Sequence, residues 1–166
     1  MANRMPYLID GHNLIPKIPG MSLRDLDDEM HLAQRLQVVY RQLRKPVEVY
    51  FDKAPAGRQG SRRYGMVRLH FVRQSLTADE AIRMRLHKLG REAPNWTVVS
   101  SDHQVQADAH AAHAHTISSE EFAALLLDLE NRPQPSEAEN PALTPQEVEE
   151  WLEEFHRAQG KGRNDL

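Results

Sequence analysis

The sequence predicts an α/β fold: a mostly parallel five-stranded sheet with helices on both faces. Two observations carry it. Short runs of β-branched and aromatic residues alternate with stretches whose apolar residues recur at three- and four-residue steps. Aspartates also stand where strands end or helices begin, at Asp10, Asp52, Asp79 and Asp102. A parallel sheet gathers its strand ends along one edge, which is where such folds place their sites.

The elements follow in order. Tyr7 to Asp10 reads as a short buried strand stopped by Gly11. A helix is predicted from about Asp25 to Arg44, its apolar stripe running through Leu26, Met30, Ala33, Leu36, Val39, Tyr40 and Leu43. Pro46 separates it from the strand Val47–Asp52. Ala54 to Gly65, with Pro55, Gly57, Gly60 and Gly65, reads as a flexible basic loop. Val67 to Val72 alternates apolar and polar residues, the mark of a strand with one exposed face. Thr77-Ala78-Asp79-Glu80 has capping-box spacing and opens a helix through Leu89, closed by Gly90. Trp96 to Ser100 is the fourth strand. Ser101 or Asp102 caps a helix to about Ala114, and His115-Thr116-Ile117 is the fifth strand. Ser118-Ser119-Glu120-Glu121 opens a helix to about Glu130.

These elements make one domain over residues 1–130. A Pro-containing linker spans 131–143, and Thr144-Pro145-Gln146-Glu147 starts a helix over 144–158, leaving a tail at 159–166. The C-terminal helix carries Val148, Trp151, Leu152 and Phe155 on one stripe and acids opposite. Two readings stand for the stripe: it folds back onto the domain's own core, or it docks a partner protein or a second copy.

At 166 residues, 40% hydrophobic and 27% charged, the chain has material for a globular core. No apolar run is long enough to cross a membrane, and no cysteine offers a disulfide, thiolate ligand or nucleophile. The N-terminus lacks a signal-type apolar core, so the cytoplasm is the expected compartment. Net charge is only −3, but the charges are segregated. Lys53, Arg58, Arg62, Arg63, Arg68 and Arg73 run without an intervening acid, whereas acids dominate from Glu120 onward. The basic stretch points to a polyanion, with Lys53, Arg58, Arg62, Arg63 and Arg68 as candidate contacts to backbone phosphates. Tyr64 is a candidate for stacking on a base, and Phe71 reads as core.

An aspartate at a strand end binds metal, caps the next helix or starts a turn. Four along one rim repel one another until a cation arrives. All-oxygen ligands favour Mg²⁺ or Mn²⁺. The chemistry that such a site supports is hydrolysis of phosphodiester bonds.

The motifs then point further. Leu-Ile-Asp-Gly-His-Asn-Leu-Ile at 8–15 resembles the opening Asp-Gly-Tyr-Asn motif of the YacP-like proteins, part of the NYN group of PIN-like ribonucleases. Val-Tyr-Phe-Asp at 49–52, Leu-Thr-Ala-Asp-Glu-Ala-Ile at 76–82, Val-Ser-Ser-Asp-His-Gln-Val-Gln at 99–106 and Ser-Ser-Glu-Glu-Phe at 118–122 recur in the family's order. The resemblance covers residues 6 to 130. It implies a PIN-like, Rossmann-like sheet of order 3-2-1-4-5 and metal-dependent endoribonuclease activity. It also implies a site of Asp10, Asp79 and Asp102, joined by Asp52, with Asn13 orienting Asp10 or contacting a phosphate. Two departures stand out. His12 replaces the usual tyrosine, either filling its packing space or touching the scissile phosphate. Lys53 follows Asp52, where pairing would withdraw that acid from a metal. An impaired site would leave an RNA-binding adaptor. His103, His110, His113 and His115 cluster in sequence, but their spacing suits no tetrahedral site and they read as solvated or partly packed.

Overall fold

A computed structural model of the chain describes residues 5–24, 27–54, 57, 59–73, 75–133 and 146–153. The strands are β1 (Tyr7–Asp10), β2 (Val47–Ala54), β3 (Gly60–Tyr64), β4 (Val67–Arg73), β5 (Thr97–Val99) and β6 (His115–Ile117). The helices are α1 (Gly11–Leu14), α2 (Asp28–Leu43), α3 (Ala78–Leu89), α4 (His103–Ala111) and α5 (Ser119–Asn131). They build one six-stranded sheet of order β3-β4-β2-β1-β5-β6, parallel except for β3 against β4. Without β3, the order is the expected 3-2-1-4-5.

The sixth strand corrects the loop expected over 54–65. Gly60–Tyr64 pairs antiparallel with β4 through a two-residue turn at Gly65–Met66, with Gly65 at φ 60°. A type II′ hairpin needs glycine at that first central position. The arginines that made the segment look like a loop are an edge strand's defence against pairing with another chain. Two shorter corrections concern the N-terminal half. A single helical turn, α1, follows β1 directly, and α2 begins at Asp28 rather than near Asp25.

The central strands β1 and β5, and β2 over Val47–Phe51, are buried on both faces, as helix-covered strands must be. Side chains alternate along each strand, so two cores form. Tyr7, Ile9, Val49, Phe51 and Leu69 pack beneath α2 and α5. Leu8, Tyr50 and Val98 pack beneath α3 and α4. Thr77, Asp102 and Ser118 cap α3, α4 and α5, each accepting from backbone N–H groups of the first turn.

Residues 146–153 are helical, and Trp151 is buried against Tyr64 with ring centroids 4.8 Å apart and nearly perpendicular. Leu152 packs on the same core. The stripe therefore covers the chain's own domain, and Tyr64 lies beneath it rather than open to a base. Phe155, most of the linker and the tail lie outside the described residues.

Candidate active site

Alternation along β1 puts Leu8 and Asp10 on the α3 face of the sheet, and Val98 and Ser100 follow the same parity beside them. The chain turns immediately after Asp10 because residue 11 is glycine. A Cβ there would run into the Phe51 ring and come within 3.0 Å of the Tyr50 carbonyl oxygen. Asp10 is thus held at the rim and is 6% exposed. Its Oδ2 accepts a hydrogen bond from the Ser100 hydroxyl at 3.1 Å. Among the described residues no ion pair reaches it.

Asp52, Asp79 and Asp102 are close enough to act on Asp10. Burial pushes its carboxyl pKa up to about 6, opposed by the Ser100 hydrogen bond and reinforced by repulsion from Asp79, Asp52 and Asp102. Asp79, in the first turn of α3, is also raised, by desolvation and then by Asp102. The structure therefore gathers all four sequence-predicted acids at one edge. They are not equally available. Asp102 Oδ1 accepts from Gln104 and Val105 N–H as the cap of α4. Asp52 is taken by His12, whose Nδ1 stands 2.6 Å from Asp52 Oδ1.

His12 differs from its packing reading. It touches the Phe51 ring at 5.3 Å, but its other nitrogen, Nε2, stands 3.3 Å from Glu29 Oε1. Burial opposes its charge, yet the bonds to Glu29 and Asp52 prevail and raise its pKa to about 9. It is a cation bridging two carboxylates, and Asp52 pairs with it rather than with Lys53. Lys53 is exposed in a bulge of β2, at φ 56°.

Asn13 does not bond Asp10. Its Oδ1 accepts from Ser101 N–H at 2.9 Å and from the Ser119 hydroxyl at 2.6 Å, tying the turn after β1 to the loop after β5 and the start of α5. Ser100 does the orienting instead: it donates to Asp10 and accepts from Asp102 N–H at 3.0 Å. Sequence reasoning missed Ser100, Ser119 and Glu29. The Val-Ser-Ser-Asp run held the signal for Ser100, two residues from a site acid, but a serine there also reads as an ordinary turn.

Among the described residues no three His, Asp or Glu side chains stand together as a ready ion cage. In kind, however, the donors fit a hard cation. Asp10, Asp79 and Asp102 offer oxygen only, and the raised pKa values of Asp10 and Asp79 come first from burial and then from mutual repulsion, the part that an ion would relieve. His103, His110, His113 and His115 form no such group either. Of the basic candidates, Arg63 and Arg68 are register partners across β3–β4, and Arg62 takes the other face by alternation. Arg58 lies outside the described residues.

With this geometry in place, the sequence matches the family model of the YacP-like NYN domain over residues 7–159. The chain belongs to the YacP-like NYN domain family. This is a PIN-like nuclease family whose members generally use divalent metals. The match runs past residue 130 and through the C-terminal helical segment. The fold is similar to the crystal structure of Rae1 (YacP) from Bacillus subtilis, at 21% identity over 96% of this chain and 86% of that one, with a TM-score of 0.63. A mutant of the same Bacillus subtilis protein, with leucine in place of a tryptophan, gives a TM-score of 0.64 at 24% identity, covering 77% and 78% of the two chains. No curated protein matches the sequence. Among the described residues no helix is long and apolar enough to cross a membrane.

Proposed function

We propose that the chain is a divalent-metal-dependent endoribonuclease, working in the cytoplasm with Mg²⁺ or Mn²⁺ and cleaving RNA phosphodiester bonds at the acidic rim. The observation that carries this reading is Asp10: a carboxylate 6% exposed, among three further aspartates, with no cation paired to it among the described residues. Burying Asp10 beside these acids costs free energy in the folded chain, and its one hydrogen bond, from Ser100, leaves its charge unpaired among the described residues. Family membership supports the reaction class.

Asp10, Asp79 and Asp102 would hold the ion. When bound, it supplies Lewis-acid activation of water and charge stabilisation for the phosphoryl oxygens. Ser100 fixes the rotamer of Asp10, and Asn13 fixes the loops that carry Ser101 and Ser119. His12 holds Asp52 at the rim and lowers the local negative charge that would repel an RNA phosphate.

A binding-only adaptor is the second reading, and the cap held by Asp102 and the pairing of Asp52 favour it. Incubating the protein with mixed single-stranded and structured RNA in Mn²⁺, Mg²⁺ or EDTA separates the two. Internal cleavage that disappears in EDTA is the expected result. Equal cleavage in EDTA contradicts the metal mechanism, and RNA retained uncut with either metal supports the adaptor.

A further inference from the structure

Helix α3 lies over β1, β2 and the end of β4 at Val72, whereas Arg63 on β3 and Arg68 on β4 stand exposed on the same face, with no helix over them among the described residues. The result is a shelf with α3 as its wall. Two clefts lie along it. One, of about 430 Å³, is lined by Leu76 and Met84 on the helix side and by Ser61, His70 and Arg73 on the strand side. The other, of about 350 Å³, is lined by Arg63, Arg68, Arg85 and Trp96.

The floor between them is fixed. His70 stacks on Tyr50 with ring centroids 4.6 Å apart, and Glu48 accepts from Arg85 Nε and Nη2 at 3.0 Å each and from the Tyr50 hydroxyl at 3.1 Å. His70 Nε2 is 3.3 Å from Glu48 Oε1 without hydrogen-bond geometry. Buried Glu48 is thus committed to the floor.

Arg63 and Arg68 are exposed above that floor, directly opposite each other across β3–β4. Like charges in register are destabilising. No ion pair reaches either among the described residues, and Arg63 meets only the Met66 sulfur. An anion between them removes the cost, and two guanidinium forks suit phosphate oxygens. Met84 is 59% exposed, one of two large apolar side chains so placed among the described residues. It lines the neighbouring cleft on the same shelf and offers an unpaired base an apolar surface. Asp10 is level with Tyr50, and Arg68 with Glu48. Arg68 is therefore two residues down and two strands across from Asp10, about 12 Å away at the usual sheet spacings.

We propose that this shelf holds single-stranded RNA on one side of the scissile bond. Arg63 and Arg68 take backbone phosphates, and Met84 takes a base face. The proposal rests on RNA being the substrate and assigns the path it follows.

The test is fluorescence anisotropy of a labelled ten-nucleotide single-stranded RNA in EDTA, where no metal-dependent cleavage intervenes, titrated across KCl concentrations. Arg63→Ala with Arg68→Ala should flatten the slope of log affinity against log salt by about 1.4, the loss of two single-strand phosphate contacts. Arg132→Ala, which removes one charge at the end of α5, should leave the slope unchanged. Thermal unfolding should show the double variant at least as stable as the parent, since a repulsive pair is gone. An unchanged slope in the double variant, an equal change in Arg132→Ala, or failure of the parent protein to bind each overturns the shelf. Cleavage is scored separately with Mn²⁺. Binding with the expected slopes but no cleavage leaves the shelf standing and removes the nuclease reading; cleavage with an unchanged slope does the reverse.

Discussion

Replacing Asp10 by asparagine should stabilise the metal-free protein, although it destroys the proposed site. The carboxyl is raised from 3.8 to about 6 by burial and by three neighbouring aspartates. A group whose folded pKa exceeds its unfolded value destabilises the folded state once it ionises. The cost is absent below pH 3.8, grows between 3.8 and about 6, and is complete above that. At 1.36 kcal/mol per pKa unit it amounts to about 3 kcal/mol at pH 7.5. The asparagine side chain keeps the shape and an acceptor for Ser100 without the charge. Urea unfolding of both proteins in EDTA should therefore separate them by up to about 3 kcal/mol at pH 7.5 and converge towards pH 4. Saturating Mn²⁺ should close the gap by stabilising only the parent protein. Equal stability at pH 7.5 in EDTA, or a gap independent of pH, would refute the claim that the rim is electrostatically strained.

Three further outcomes follow from the geometry. His12→Tyr leaves Asp52 and Glu29 without their shared cation, so it should lower the unfolding midpoint at pH 7. Because the His12 pKa is raised to about 9, its contribution is complete below about 6.5 and lost as pH rises through 9, so parent and variant should converge by about pH 10 in thermal melts. Arg85→Ala strips buried Glu48 of its two-nitrogen partner and should cost about 3 kcal/mol in urea unfolding, as broken buried pairs do. Trp151→Ala removes the ring seated on Tyr64 and should cost about 3 kcal/mol in urea unfolding.

The strand-end aspartates were readable because the apolar runs before Asp10 and Asp52 and the capping pair around Asp79 have local signatures. Topology then brought them to one edge. The helix caps at Thr77, Asp102 and Ser118 were local in the same way. What escaped was long-range or short. His12 meets Asp52 forty residues on and Glu29 seventeen residues on, and no local pattern encodes either pairing. Asn13 stood out in the motif after the first strand, but its partners Ser101 and Ser119 did not. Helix α1 is one turn, too brief for a 3.6-residue period to show. Strand β3 was hidden by its own composition, because glycines and arginines describe a loop and a protected edge strand equally well. The Trp151 stripe was plain, and the ring's contact with Tyr64 supplies its partner.

If the acidic rim performs the proposed metal-assisted cleavage of RNA, loss of the Asp79 carboxylate should abolish most of it. Asp79 lies in the first turn of α3, while Thr77 supplies the cap, so Asp79→Asn leaves the capping bond intact. Initial cleavage rates of one defined RNA, measured for the parent protein and for Asp79→Asn at saturating Mn²⁺, should differ by about 100-fold or more. Circular dichroism should show the same fold in both. A rate within about threefold of the parent, or less than about 1 kcal/mol in the barrier, would contradict the account.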